Sequence, residues 1–255
     1  MINKILLLLF IFNFLLYAQE KSVIKSDLKR ISETTANYIK APFKFNSNDL
    51  SKAGLLTSAT FFSSLVDNEV RNFSSEYFDS SNVLLHKFDS YYHIEFMSAA
   101  IVGLYLYGNI SNKSQVRELS VDLLSSSLLT GITTFAMKSF FGRSRPYQTD
   151  DHYEFNWFEY EDKFLSFPSG HTSLAFSFST IMAEQNKTFL WKSIWFSAAT
   201  LVGASRIYNN KHWFSDVVMG AIIGYVSAKF VLNQKKNNSS DMNLPTNNIV
   251  IMIRL

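Results

Sequence analysis

Residues 168–183 read PSGHTSLAFSFSTIMA, and this stretch joins a short polar loop to an apolar helix. From Thr172 onward the residues are mostly small or apolar, and glycine and proline are absent, which predicts a core helix. A helix N-terminus presents unbonded backbone N–H groups and the positive end of the helix dipole, so an anion binds there readily. The stretch therefore predicts a helical fold with an anion site at one helix end.

The composition of the whole chain agrees with a helical fold. Of 255 residues, 47% are hydrophobic and 18% are charged, with 24 Phe but only 9 Gly and 4 Pro. This content is too apolar for disorder and too poor in turn formers for a many-stranded β protein. The mild net charge of +3, without a basic stripe, argues against a nucleic-acid partner. The lack of cysteine excludes disulfides, thiolate metal sites and cysteine nucleophiles.

Five further apolar segments flank this one, and each is rich in small and aromatic residues. With Thr172–Ala183 they predict an all-α fold, a bundle of about six core helices without an internal strand. Charged residues bracket most segments at fewer than the ~20 apolar residues that a spanning helix needs. Lysine side chains that extend toward water can lengthen such spans. The bundle is therefore predicted to be either membrane-embedded or membrane-associated. The other five segments are Ala53–Val66, Phe96–Tyr107, Leu123–Met137, Ser193–Ser205 and Val217–Ala228.

The start of the chain has a different character. Lys4 precedes a mostly apolar run over residues 5–16, and the small residue Ala18 follows it. A positive start, a short apolar region and a small residue are typical of a secretory signal. Residues 1–18 therefore predict a signal peptide, with an uncleaved N-terminal anchor as the alternative. Both indicate a protein of the bacterial cell envelope, in the membrane or the periplasm.

Composition divides the rest of the chain into three parts. Residues 19–50 are polar and mixed in charge, which predicts a surface segment that leads into the domain. Residues 51–232 contain the six apolar segments and predict one helical domain. Residues 233–255 predict a polar linker followed by a short apolar tail.

Two histidine-containing clusters lie at the starts of predicted helices. In the loop before Thr172, Ser169 offers a hydroxyl, Gly170 allows close approach of the backbone, and His171 can transfer a proton near neutral pH. An ordinary N-cap is the alternative for this loop. Farther along, His212 and Asp216 are four residues apart and share a face if a helix begins here.

The spacing of this second pair has a chemical interpretation. A carboxylate that bonds one imidazole nitrogen fixes the tautomer and leaves the other nitrogen available for attack. Taken alone, His212 and Asp216 fit an ordinary surface pair better than a catalytic one. The third cluster consists of Lys138 and Arg145, directly before Pro146, and these two cations can converge on one anion. Basic residues that extend from a helix end toward water are the alternative here.

The clusters Lys-x6-Arg-Pro, Pro-Ser-Gly-His and Ser-Arg-x5-His-x3-Asp occur in this order between Lys138 and Asp216. Together they resemble the complete signature of the type 2 phosphatidic acid phosphatase and vanadium haloperoxidase superfamily. The resemblance implies a metal-independent phosphatase without a cofactor, in which His212 forms a phosphohistidine, Asp216 orients His212, and His171 protonates the leaving oxygen and then activates water. The phosphoryl oxygens would be held by Lys138, Arg145, Ser169, Gly170 and Arg206.

The resemblance also implies a substrate class. A lipid phosphate, or an isoprenoid or other lipid diphosphate, is the expected substrate. A soluble periplasmic acid phosphatase, a vanadium haloperoxidase and an inactive membrane scaffold are the alternatives. If the last helices span a membrane, their flanking lysines lie opposite the motifs, which places the site on the periplasmic side by the positive-inside rule. The lipid itself, the number of spans and the oligomeric state stay open.

Overall fold

The computed structural model describes residues 21–77 and 94–241, and within these ranges the chain is mainly helical. The predicted all-α class is confirmed. No β-strand lies in the described ranges, where strand-like pairing is limited to one bridge between Arg143 and Phe155. The α-helices are α1 (Lys21–Lys40), α2 (Ser47–Ser64), α3 (Asp67–Tyr77), α4 (Ile94–Ile110), α5 (Ser114–Phe141), α6 (Gly170–Ala183), α7 (Phe189–Tyr208) and α8 (Phe214–Asp241), and short 3-10 helices cover Ala41–Lys44 and Asp162–Phe164.

The six predicted segments correspond to α2 and α4 to α8, one segment to each helix. The end of α5 differs from the expectation, because the helix continues past Met137, where the predicted segment ends, and stops at Phe141. Gly142 follows in the left-handed conformation with φ of 57°, and a Cβ there would lie 1.6 Å from the carbonyl oxygen of Asn156. Only glycine fits this position, so Gly142 ends the helix and sets the course of the next loop.

The helix α1 lies where composition predicted a polar surface segment. Its residue Asp27 is buried, accepts a hydrogen bond from the Tyr105 hydroxyl at 3.0 Å and lies 3.4 Å from Nε of Arg117. Polar residues of α1 are therefore matched by polar groups on α4 and α5. Such pairing permits a polar sequence to pack against the bundle, and composition alone does not reveal it.

The end of α8 also differs from the expectation. The helix continues through residues 233–241, which composition predicted to be a linker. Lys235 explains part of this extension, since its Nζ lies 3.0 Å from Glu118 Oε2 and 3.1 Å from Asp122 Oδ2 on α5. The predicted signal peptide and the tail from residue 242 onward lie outside the described residues.

Two helices, α5 and α8 as far as Asn237, are long and apolar enough to cross a membrane by length and composition. The sequence predicted that α5 is too short to span a membrane, because the apolar stretch was counted from Asp122, which in fact lies inside the helix. In the structure Asp122 is paired with Arg30 and Lys235, so the charge does not end the helix. The core between α4, α5, α6 and α8 is formed by Met97, Ile101, Leu123, Phe178, Ile181 and Ala228.

Close packing of α8 against α6 depends on two glycines. A Cβ at Gly220 would lie 2.7 Å from the carbonyl oxygen of Ser169, and one at Gly224 would lie 2.1 Å from that of Ser173. Both contacts are with backbone, which cannot rotate away as a side chain could. These glycines therefore bring the start of α8 against the start of α6, where the second and third sequence motifs lie.

The substitution Gly224→Ala is expected to lower the free energy of unfolding by ~1–3 kcal/mol, the usual cost of overpacking. The control is Gly54→Ala in α2, where a Cβ would meet nothing within 4 Å. That change is expected to be neutral or to stabilise by up to ~1 kcal/mol, because alanine favours helix more than glycine. Thermal unfolding in detergent compares the two variants, and equal melting temperatures would contradict the proposed tight seam.

Candidate active site

The three sequence motifs meet at one end of the bundle. Lys138 lies in the last turn of α5, His171 in the first turn of α6 and Arg206 in the last turn of α7. His212 lies two residues before the start of α8, and Asp216 lies in the first turn of that helix. Helices α5 and α7 run toward this end of the bundle and α6 and α8 run away from it, so successive helix ends bring the motifs together.

Specific contacts join the motifs to each other. The backbone N–H of Ser169 donates to the carbonyl oxygen of Asp216 at 2.9 Å. A Cβ at Gly170 would lie 3.7 Å from Cε of Lys138, which places the turn before α6 beside the end of α5. Lys138 interacts electrostatically with both Arg145 and Arg206. Three cations and the N-terminus of α6 therefore surround one space.

The segment 162–166 holds two of these cations by its oxygen atoms. The Nζ of Lys138 donates to the carbonyl oxygens of Leu165 and, at 3.3 Å, Ser166. Arg145 donates from Nε to the carbonyl oxygen of Asp162 and from Nη2 to its Oδ1, each at 2.8 Å. An ammonium has three N–H donors and a guanidinium five. These bonds therefore leave one donor on Lys138 and three on Arg145 for a further acceptor.

Ser169 occupies the N-cap position of α6, yet its side chain makes no capping hydrogen bond. The hydroxyl instead lies 2.9 Å from Oγ1 of Thr172. The alternative of an ordinary serine cap is therefore not what the structure shows. The first backbone N–H groups of α6 are not capped by this side chain, which suits a helix end that receives an anion.

His212 is almost completely buried, with 3% of its surface exposed. Its Nδ1 lies 3.5 Å from Oδ2 of Asp216, which is longer than an ordinary hydrogen bond. Burial lowers the pKa of His212 well below its usual value, and the charges of Lys138 and Arg145 lower it further, while Asp216 opposes them. The imidazole is therefore neutral near pH 7, the form that has a lone pair for attack.

A stability measurement can test this pKa. A histidine with a depressed pKa stays neutral in the folded protein, while the unfolded chain binds a proton below pH ~6.5. Stability attributable to His212 should therefore fall as the pH drops below that value, by at most ~1.4 kcal/mol per pH unit. The variant His212→Gln should lose less stability between pH 7.5 and pH 5 than the parent. Equal losses, measured by thermal unfolding, would contradict the lowered pKa.

Sequence reasoning missed a functional candidate within residues 139–144, which it treated as a spacer. Arg143 in this stretch is buried, and its Nη1 donates to Oδ1 of Asp216 at 2.6 Å. Asp216 also accepts hydrogen bonds at Oδ2 from the Ser166 hydroxyl at 2.5 Å and the Trp213 backbone at 2.9 Å. A single sequence does not identify Arg143 as a buried partner of Asp216, because a third basic residue near a helix end looks like a solvated one.

The structure brings all eight predicted site residues to the same end of the bundle. Gly170 and His171 are partly exposed there, whereas Ser169, Asp216 and His212 are buried. Arg145 and Arg206 are each 8% exposed. The predicted chemical roles of these residues stay predictions.

Comparison with known proteins agrees with the motifs. The chain is 36% identical over 115 residues to a lipid A 1-phosphatase of Porphyromonas gingivalis, an alignment that covers 44% of this chain and 23% of that protein. It is 29% identical over 163 residues to a probable diacylglycerol pyrophosphate phosphatase 1 of Schizosaccharomyces pombe, covering 51% and 58% of the two. The chain thus spans less than two thirds of the length of these curated relatives.

A solved structure shows the same fold. The crystal structure of Aquifex aeolicus LpxE superposes with a TM-score of 0.52 at 24% sequence identity, covering 64% of this chain and 92% of that chain. Residues 119–240 match a family model that is described as the PAP2 superfamily. This range contains all three motifs, from Lys138 to Asp216. Residues 119–240 of this chain are therefore similar to the PAP2 superfamily.

Proposed function

We propose that this protein hydrolyses a phosphate ester or diphosphate of a lipid without a metal ion. The observation that supports this most strongly is the convergence of Lys138, Arg145 and Arg206 beside the buried His212. Phosphoryl transfer needs mainly positioning and stabilisation of charge on the phosphoryl oxygens. Fixed cations and the N-terminus of α6 offer both at this end of the bundle.

The chemical steps follow from the position of each group. In the neutral tautomer with a proton on Nδ1, which faces Asp216, His212 attacks phosphorus with the lone pair of Nε2. The N–P bond forms as the P–O bond to the lipid breaks, and His171 gives a proton to the leaving oxygen. His171 then takes a proton from water, which attacks phosphorus, breaks the N–P bond and releases phosphate.

A lipid substrate is favoured over a small phosphomonoester by the surface next to the site. Phe140, Trp157 and Phe158 lie beside the loop that leads to Arg145, and each is about half exposed. Their rings pack edge to face, with centroids 5.2 Å apart for Phe140–Trp157 and 5.4 Å apart for Phe140–Phe158. Exposed aromatic rings at the end of an apolar helix are typical of a membrane interface.

Other findings support the same choice. Both α5 and α8 are apolar enough to span a membrane. The names of the two relatives describe enzymes that act on lipid A and on diacylglycerol pyrophosphate. We therefore propose that the protein lies in the bacterial cell envelope with its site at the membrane surface. The positive-inside rule favours the periplasmic side for this site.

A substrate panel tests the proposal. Phosphatidate, an isoprenoid diphosphate and p-nitrophenyl phosphate are compared with and without detergent, in EDTA, with His212→Ala as the blank. We expect one of the two lipids in mixed micelles to give the highest kcat/KM. A preference for p-nitrophenyl phosphate without detergent would contradict the lipid assignment. Loss of activity on chelation, restored by a divalent cation, would contradict metal independence.

A further inference from the structure

A buried charge network extends from Asp216 away from the phosphate space. Asp67, the first residue of α3, is 1% exposed. Its Oδ1 accepts from the backbone N–H of Ser215 at 2.8 Å, and its Oδ2 accepts from the Ser215 hydroxyl at 2.6 Å and from Nη2 of Arg143 at 2.8 Å. Asp67 lies outside residues 119–240 and in none of the three sequence motifs.

Arg143 connects the two carboxylates and has no donor left for phosphate. Its Nη1 donates to Asp216 and, at 2.8 Å, to the Ser215 hydroxyl, and its Nη2 donates to Asp67 and to the carbonyl oxygen of His152. Its Nε also donates to that carbonyl, at 2.9 Å. These bonds occupy all five N–H groups of the guanidinium. Arg143 thus differs from Lys138 and Arg145, which keep donors for a ligand.

The network fixes the position of Asp216 in two ways. Ser215 directly precedes Asp216, so the two bonds from Ser215 to Asp67 anchor the first turn of α8. A carboxylate at a helix N-terminus is also favoured by the helix dipole. From the other side, Arg143 lies over the ring of Trp213 at 5.5 Å and holds the carboxylate of Asp216 at 2.6 Å. Asp216 is therefore positioned through both its backbone and its side chain.

The charges of the network matter for the chemistry. When Nε2 of His212 bonds to phosphorus, the imidazole that keeps its Nδ1 proton becomes cationic. Arg143 alone would neutralise Asp216, the carboxylate that faces this ring. Burial raises the pKa of Asp67, while the charge of Arg143 and the hydrogen bonds from Ser215 and Arg143 oppose this shift. With Asp67 ionised, two carboxylates and one guanidinium carry a net charge of −1 beside the ring. In a site with little water this excess negative charge stabilises the cationic ring.

We propose that Asp67 and Arg143 are positioning residues of the reaction, which keep Asp216 in place and maintain its negative charge toward His212. This inference rests on the proposed function, because it concerns the phosphohistidine step. Neither residue touches the substrate. Their loss should therefore lower kcat and leave KM nearly unchanged, unlike loss of a cation that holds phosphate.

The variant Asp67→Asn tests this, because it removes the charge and keeps one acceptor oxygen, while an amide NH₂ group replaces the other oxygen. We expect kcat to fall by ~10- to 100-fold, the range typical of groups that orient catalytic ligands. KM should change little, and the yield of acid-quenched phosphohistidine should fall with kcat. The melting temperature should be lower than that of the parent, because the buried Arg143 loses a charged partner, so the kinetics are measured at a temperature at which the variant is folded. The control is Asp150→Asn, which removes an exposed carboxylate paired with Arg71 at 2.8 Å and should leave kcat unchanged.

The ring of His212 gives a second readout that needs no turnover. In ¹⁵N NMR of the imidazole, assigned with His212→Gln, the parent should show the Nδ1–H tautomer and Asp67→Asn a smaller population of it. An unchanged tautomer and unchanged kcat would overturn the inference. A fall of kcat with an unchanged tautomer, measured where the variant is folded, would reduce Asp67 to a structural role. A parent protein that hydrolyses none of the panel substrates would refute the proposed function. The NMR experiment would still decide whether Asp67 controls the tautomer of His212.

Discussion

Turnover is expected to disappear when His212 is replaced by alanine, by a factor of about 10⁴ or more if the histidine is the covalent nucleophile. No other group of the site is assigned to attack phosphorus, because His171 is assigned to proton transfer and the cations to holding the phosphoryl oxygens. Steady-state rates on the preferred lipid measure the loss. Activity within tenfold of the parent would refute the nucleophile assignment.

The same assignment predicts a trapped intermediate. Acid-sensitive phosphate should be bound to the parent after a brief reaction with ³²P-labelled substrate, and the label should be absent from His212→Ala. The variant His152→Ala is the control, since Arg143 contacts only the backbone carbonyl of His152. It should keep both turnover and label. Turnover of the parent without any trapped label would favour direct attack by water.

Replacing Arg145 by lysine is expected to lower kcat/KM by ~10²–10³-fold, although the positive charge is kept. The guanidinium bonds the carbonyl and the carboxylate of Asp162 and still has three donors for a phosphoryl group. An ammonium has only three donors in all and lacks the planar fork. It cannot satisfy Asp162 and hold two phosphoryl oxygens together.

The kinetic pattern separates this effect from a general disturbance. Loss of an oxygen contact that strengthens in the transition state should lower kcat as well as raise KM. The control Arg71→Lys changes an arginine outside the motifs that pairs with Asp150. It is expected to stay close to the parent. Near-normal kcat and KM for Arg145→Lys would reject the proposed phosphoryl contact.

The helix positions and the motif cluster were predictable because both depend on local patterns. Apolar segments of helical length locate α2 and α4 to α8, and the polar residues between them mark the helix ends where the site lies. The helices α1 and α3 were not predicted because they are polar. Their burial depends on partners far along the chain, as with Asp27 beside Arg117.

The site could be predicted only in part, for the same physical reason. The motif residues were identified by type and spacing, but Arg143 and Asp67 gain their place from contacts across 76 positions of sequence. Nothing in the local sequence separates Asp67 from a solvated residue that starts a helix. The three-dimensional arrangement also shows that the basic residues near α5 divide into two kinds, those with donors left for phosphate and one whose donors are all used.

The glycine seam between α6 and α8 has a consequence for how a bulky substrate reaches the site. Backbone touches backbone where Gly220 meets Ser169 and Gly224 meets Ser173, so the two helices cannot slide past each other without a clash. We expect them to move as one rigid unit. If a movement is needed to admit a lipid head group, we expect it in exposed parts of the loop over residues 142–169 and not in this helix pair.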